Sequence, residues 1–115
     1  MKTINHLLYG THPKTGKIKE RTYQIIKFLK QNGGKLGAKE LEEKINISRI
    51  EQPSMFYKPL AALKSWDLVQ VHKKVEFDDN GKRKFNTTYE LTPTLFFHYI
   101  QKTLLEKCKT ELEML

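Results

Sequence analysis

The sequence contains one cysteine and no long apolar run. Because Cys108 cannot form a disulfide within the chain, a reducing compartment is the simplest setting, and we expect the protein in the cytoplasm. No stretch approaches the ~20 apolar residues that a membrane span requires. Residues 1–17 hold too short an apolar segment for a signal peptide. These absences predict a protein without a membrane partner.

The sequence also lacks the residue spacings of a catalytic or metal-binding site. Its histidines show no metal-ligand spacing with one another or with Cys108; they are His6, His12, His72 and His98. Segment 10–17 has the glycines and the lysine of a phosphate-binding loop. Five residues rather than four separate Gly10 from Gly16, however, and Ile18 stands where a Mg²⁺-binding Ser or Thr is needed. We therefore predict no enzymatic activity, no cofactor and no metal ion.

Basic residues are in excess. The 115 residues include 21 Lys and Arg against 13 Asp and Glu, which gives a net charge of +8 and a pI of about 9.6. This excess favours an anionic partner, with nucleic acid ahead of an acidic membrane surface, although a basic surface without any partner is the alternative. The hydrophobic fraction of 38% is enough for the core of one domain.

The first half of the chain is predicted to be helical and basic. Residues 1–18 are expected to form a basic N-terminal arm, in which one helical turn would carry Ile4, Leu7 and Leu8 and would pack either on the body or on a second subunit. Apolar spacing of three and four residues then predicts a helix over residues 20–32.

Two glycines and a short extended link separate this helix from the next. Gly33 and Gly34 are a helix stop, because glycine adopts the left-handed conformation without steric cost. Leu36 lies in the extended link. A second helix is predicted over residues 38–45, and a turn over residues 46–51.

The third helix is the best defined by pattern. Pro53 suits its first turn, and Phe56, Leu60 and Leu63 recur on one stripe that would face the core. The opposite side carries polar and small residues that would be free to touch a partner; they are Ser54, Tyr57, Lys58 and Ala61. Pro59 removes a backbone donor inside this helix, so we expect a kink or a split there.

A β-hairpin is predicted next, with strands over residues 68–77 and 84–91. The pairing that keeps apolar residues on one face sets Val71 opposite Leu91, and it requires a loop of three or five residues.

Thr92 and Pro93 then begin a last helix. Its long apolar stripe is a candidate dimer interface, and the residues on that stripe are Phe97, Ile100, Leu104, Cys108 and Leu112.

This order of elements resembles the winged helix-turn-helix fold. The phrase SMFYKPLAALKSWDLVQVHKK is similar to the recognition-helix-to-wing signature of the MarR, ArsR and PadR regulators, including small archaeal, plasmid-borne or virus-borne types. The resemblance implies an α+β, mainly α fold, with three helices, a two-stranded β-wing and a long C-terminal dimerisation helix. The expected divisions are the N-terminal arm (1–18), a DNA-binding domain (19–92) and the dimerisation helix (93–115). Asp67 stands where these families usually have glycine.

The resemblance also implies a function. We expect sequence-specific binding to double-stranded DNA as a homodimer, most simply as a transcriptional repressor. The implied recognition-helix contacts are Arg49, Gln52, Ser54, Tyr57 and Lys58, and the implied wing contacts are Lys73, Lys82, Arg83 and Lys84. The alternatives are an architectural or plasmid partition or replication DNA-binding protein, and a winged helix that binds another protein.

Overall fold

The computed structural model describes all 115 residues and is α+β, mainly helical, with one small antiparallel sheet. The elements in chain order are α1 (Lys2–Tyr9), α2 (Gly16–Gln31), β1 (Lys35–Gly37), α3 (Ala38–Ile45), α4 (Pro53–Ser65), β2 (Val69–Phe77), β3 (Arg83–Leu91) and α5 (93–113). The strands lie in the order β1-β3-β2. This arrangement is compatible with a winged-helix-like fold.

The N-terminal residues form a helix that is held against α2. The buried Thr22 hydroxyl donates to the carbonyl of Ile18 (2.8 Å), so Tyr9 is the donor in the 2.6 Å hydrogen bond between the two hydroxyls. Burial raises the pKa of Tyr9. Ile4 and Leu8 pack against the core. The predicted start of α2 at residue 20 is wrong by four residues, and the expected boundary between residues 18 and 19 falls inside α2.

The stop after α2 and the next two elements lie where the sequence predicts them. Gly33 and Gly34 have φ of 76° and 88°, and the Gly34 amide donates to the carbonyl of Leu29 (2.7 Å). The extended link is β1, in which buried Leu36 pairs with Tyr89 of β3. The second predicted helix is α3.

Helix α4 runs through Pro59 without a break, so of the two expected alternatives the split is wrong and the kink stays a prediction. The proline ring is fully buried in the same interior as Phe56, Leu60 and Leu63. The burial of this apolar ring offsets the hydrogen bond that the Met55 carbonyl loses, because each buried methylene contributes about 0.8 kcal/mol.

Asp67 lies two residues after the end of α4 and adopts the left-handed conformation, with φ of 58°. This geometry disfavours residues that carry a Cβ. We therefore expect Asp67→Gly to raise the free energy of unfolding by up to about 1 kcal/mol in urea denaturation. The hydrogen bond from Thr92 to the Asp67 carbonyl uses the backbone and is retained. Asp79→Gly is the control, since φ is not positive there; a similar gain at both positions would contradict this explanation.

The hairpin has the predicted facing of side chains but a different pairing. Val71 lies opposite Tyr89, and Leu91 lies opposite Val69, so the predicted pairing of Val71 with Leu91 is wrong by two residues. A shift of two keeps every side chain on the same face, so alternation cannot detect it. The pairing is fixed by Tyr89, which is buried against the core, and by a five-residue loop closed by Asp78. The Asp78 carboxylate accepts from the amides at positions 80 and 82.

The last helix changes its winding midway. It is α-helical over Pro93–His98, π-helical over Tyr99–Leu104, and α-helical again over Leu105–Glu113. The wider π turn rotates the side chains that follow it relative to an α-helical stripe.

The predicted dimer stripe is therefore divided between two environments. Ile100 and Leu104 are half-buried, and Ile100 packs against the core. Phe97, Cys108 and Leu112 are exposed, as is every residue from 105 to 115. The side chain of this helix that enters the core is Phe96, whose ring lies 6.4 Å from that of Trp66.

None of the helices combines the length and the apolar character needed to cross a membrane.

Candidate nucleic-acid interface

The outward face of α4 carries polar residues and one small apolar residue, Ala61. Four of the five sequence-predicted contact residues of this region are exposed on or just before α4; they are Gln52, Ser54, Tyr57 and Lys58. Phe56, next in sequence to Tyr57, is fully buried, and the two rings meet edge to face at 5.0 Å. The core therefore holds α4 through Phe56 while the neighbouring phenol and lysine face solvent.

Arg49, the fifth predicted residue, is held in place by α3. Its backbone amide donates to the Glu42 carboxylate (2.6 Å), and its guanidinium Nε lies 3.3 Å from the same oxygen. The Arg49 amide, followed by the hydrogen bond from its side chain, holds the pKa of Glu42 below its usual range against the opposing effect of burial. This contact fixes the turn that leads into α4.

The lowered pKa of Glu42 predicts a pH-dependent difference between the wild type and Glu42→Gln. The unfolded chain binds the proton more readily, so this carboxylate contributes stability above the unfolded-state pKa of about 4.3. That contribution is lost as the pH falls through the lower pKa of the folded state. We expect Glu42→Gln to have a lower free energy of unfolding than the wild type at neutral pH. This difference should become smaller as the pH is lowered toward about 3.

Urea midpoints across this pH range provide the measurement. The matched control is Glu43→Gln, which changes the same charge on an exposed neighbouring side chain. If the difference in urea midpoint between the wild type and Glu42→Gln stayed constant with pH, the ionised carboxylate would not be what stabilises the turn.

A groove separates α4 from the two long strands, and we call it the basic groove. Its volume is about 300 Å³, and its charged lining consists of Arg49, Lys64 and Lys73, with no carboxylate. The remaining lining residues are Tyr57, Leu60, Ala61, Val71, Thr87 and Tyr89. The fold thus brings together three residues that the sequence predicts as DNA contacts, namely Arg49, Tyr57 and Lys73. An anionic chain would find cations on both walls of this groove.

The sequence prediction omits Lys64 and Thr87. Lys64 lies seven residues after Tyr57, which puts both side chains on one side of α4, so helical periodicity could have identified it. Thr87 lies opposite Lys73 across the hairpin. Its position depends on the strand register, which the sequence predicts wrongly.

The Tyr89 phenol at the base of the basic groove stays neutral. Burial raises the pKa of Tyr89 to about 12, and Tyr57 adds to this shift while Arg49 opposes it. A neutral phenol carries an O–H donor at physiological pH, and such a donor can hydrogen-bond to a phosphate oxygen.

The three predicted cations at the wing tip do not form one cluster. Lys82 lies in the loop, whereas Arg83 and Lys84 are successive residues of β3 and so point to opposite faces of the hairpin. Arg83 lies over the Phe85 ring, 5.9 Å from its centre, on the face that also carries Lys73. Lys84 lies on the other face, opposite Glu76.

The net positive charge is concentrated away from this interface. Residues 1–31 contain seven cations and one carboxylate, a net charge of +6. Residues 49–91 contain eight cations and six carboxylates, a net charge of +2. Residues 49–91 therefore have no large excess of positive charge. An anion that bound here would be attracted by the local grouping of cations in the basic groove.

No model of a known protein family matches the chain, and no curated protein is significantly similar to it. No group of three or more His, Cys, Asp or Glu side chains lies close enough together to hold a metal ion.

Proposed function

We propose that the protein is a winged-helix protein that binds double-stranded DNA sequence-specifically as a homodimer, most simply as a transcriptional repressor. The observation that carries the proposal is the basic groove, which Arg49, Lys64 and Lys73 line beside the outward face of α4. Arg49 is paired with Glu42, which lies outside the lining, and neither Lys64 nor Lys73 is paired with a carboxylate. In this proposal α4 is the recognition helix and β2–β3 is the wing.

The outward face of α4 supplies the side chains for reading bases. An α-helix fits the major groove, where each base pair shows a distinct pattern of donors and acceptors. Gln52 can make paired hydrogen bonds to adenine, and Lys58 can donate to guanine. Ser54 and Tyr57 can hydrogen-bond to bases or phosphates. The cations of the basic groove would hold the phosphate backbone beside the helix.

The end of α5 supplies the proposed dimer contact. After the π turn, the apolar residues Leu105, Cys108, Leu112 and Leu115 recur at spacings of three and four, which puts them on one helical stripe. All of them are exposed. If the stripes of two copies packed together, both stripes would be removed from water. The two recognition helices of such a dimer would read DNA half-sites about one helical turn apart.

Fluorescence anisotropy with duplex DNA from upstream of the protein's own gene tests the proposal, with a scrambled duplex beside it, at two salt concentrations. We expect salt-sensitive binding that prefers the upstream duplex by about 10³-fold or more. Equal binding to both duplexes would support the architectural alternative instead. If neither duplex bound at low salt, the proposal would be wrong and a protein partner would be sought.

The dimer contact makes a separate prediction. We expect the double variant Leu105→Lys and Leu112→Lys to be monomeric in sedimentation equilibrium at concentrations where the wild type is a dimer, because four charges would enter the apolar seam. Thr110→Lys adds charge on the far side of the same helix and should leave the dimer intact. A monomeric wild type, or a dimer that survives the double change, would remove α5 from the proposed interface.

A further inference from the structure

The outer half of the wing carries an exposed aromatic surface. Phe77 is 70% exposed and Phe85 62% exposed, and Val75, which lies opposite Phe85, is also exposed. We call these three residues the aromatic face. Large apolar side chains that cluster on a protein surface usually mark a binding site.

The aromatic face lies on the same side of the hairpin as the basic groove. Strand alternation places Val71, Lys73, Val75 and Phe77 on one face of β2, with Tyr89, Thr87, Phe85 and Arg83 beside them on β3. Lys73 lines the basic groove, and Phe77 lies about 13 Å further along the strand. A duplex whose phosphate backbone lay along the basic groove would therefore meet the aromatic face next.

The opposite face of the wing is polar. Its side chains include His72, which contacts Glu90 at 3.0 Å, and Asn86, which donates to Glu76 at 2.8 Å. A hairpin that was simply solvated would be polar on both faces. The exposed apolar side chains of the wing are therefore concentrated on the face toward the basic groove.

The charges around the aromatic face suit a polyanion. Arg83 lies over the Phe85 ring, Lys73 lies on the same face nearer the body, and Lys82 lies in the adjoining loop. Two of the three nearby carboxylates, Glu76 and Asp78, make hydrogen bonds away from the aromatic face, and the third, Asp79, lies exposed in the loop. Glu76 is bonded to Asn86 on the opposite face, and Asp78 accepts two backbone amides of its own loop.

We propose that Phe77 is a wedge that enters a base step of the bound duplex from the minor groove, so that the DNA bends when it binds. This inference rests on the proposed function and deepens it. Phe77 is the aromatic residue nearest the tip and the more exposed of the two, while Phe85 and Val75 behind it would contact the sugars. Apolar side chains inserted in this way partly unstack a base step and bend the duplex by 20–90° toward the major groove. Sequence preference would then arise partly from flexible pyrimidine–purine steps that no side chain reads directly.

The test uses the full chain and a duplex of about 30 base pairs from upstream of the gene, with energy-transfer dyes at its ends and 2-aminopurine beside each TA step in turn. We expect the wild type to shorten the end-to-end distance and to raise 2-aminopurine fluorescence at one step. Phe77→Ala should abolish both signals and weaken binding by about tenfold, the scale of one lost stacking contact. Phe77→Leu, which keeps an apolar wedge, should retain most of the bend.

The matched control is Tyr23→Ala, which removes another exposed aromatic ring, 46% accessible, from α2. Bending and fluorescence should be unchanged in this variant. Sedimentation of Phe77→Ala alongside the wild type tests whether the aromatic face contacts a second copy.

Three results would overturn the wedge while leaving duplex binding intact. In the first, the wild type binds the duplex without bending it or unstacking a base step. In the second, Phe77→Ala bends the duplex as much as the wild type does. In the third, Phe77→Ala no longer self-associates. Tighter binding to single strands that depends on Phe77 would replace the wedge with a stacking surface for unpaired bases. Failure of the wild type to bind any duplex would instead reject the proposed function itself.

Discussion

Reversing the charge of Lys58 and Lys64 together is expected to lower the affinity for duplex DNA by about 100-fold or more at physiological salt. Lys58 lies on the outward face of α4, and Lys64 lines the basic groove. Each cation that contacts a phosphate releases a counterion, so the loss of two contacts should reduce the slope of log K against log salt by about 1.8. Both side chains are exposed, and the unfolding free energy should fall by no more than about 1 kcal/mol, mainly from the acidic residue placed near the end of the helix.

The matched control for this double change lies on α5. Lys102→Glu with Lys107→Glu makes the same change in net charge on exposed residues of α5 away from the groove and from the proposed dimer stripe. Anisotropy titrations over a series of salt concentrations compare the two variants. An equal loss in both would show that affinity follows overall charge. An unchanged affinity in the α4 variant would shift attention to residues 1–31, where most of the net charge lies.

Local patterns predict the elements of this fold well and their relative placement less well. Helix α3 and the two faces of α4 follow from the spacing of apolar residues, because an amphipathic helix must bury one stripe whatever it packs against. The glycines after α2 likewise specify a stop from local sterics alone. Pro59 was misleading because the cost of a helical proline is local, whereas its compensation comes from burial among side chains distant in sequence.

The remaining errors concern contacts that no local pattern contains. The pairing of Val71 depends on where Tyr89 enters the core, and a shift of two residues leaves alternation unchanged. The docking of α1 on the body is one of the two alternatives left open for residues 1–18 and is no error, but the Tyr9–Thr22 hydrogen bond that accompanies it spans thirteen positions of the chain and could not be predicted. The predicted stripe on α5 looks continuous in sequence, but it is divided because only residues up to 104 are buried or half-buried and every residue from 105 to 115 is exposed.

The same limits explain how much of the candidate interface could be predicted. Residues on the exposed face of α4 follow from periodicity, and Lys64 was within reach of the same reasoning. The basic groove could not be predicted, because its far wall is the hairpin and its lining depends on the register of β2 and β3. The exposure of the aromatic face could not be predicted either, because alternating aromatic residues in a strand ordinarily indicate a side that packs on the core.

Phe56→Ala is expected to lower the free energy of unfolding by about 3–5 kcal/mol, a large part of the 5–15 kcal/mol typical of a domain. Phe56 is 0% exposed and joins α4 to the sheet, with its ring edge to face against Tyr89 at 6.1 Å. Removing it leaves a cavity between these elements and loses most of the benefit of burying an aromatic ring. Urea denaturation followed by circular dichroism provides the measurement.

Tyr57→Ala is the matched change at the next position, where the side chain is 46% exposed and lines the basic groove. We expect it to lower stability by about 1 kcal/mol, much less than Phe56→Ala, because the Tyr57 side chain is 46% exposed and its loss leaves no enclosed cavity. Its duplex affinity should nevertheless fall about tenfold, whereas folded Phe56→Ala at low temperature should still bind. If both variants lost affinity in proportion to their stability, Tyr57 would belong to the core rather than to the interface. If Phe56→Ala lost mainly stability and Tyr57→Ala lost mainly duplex affinity, then one side of α4 would support the core and the other side would bind DNA.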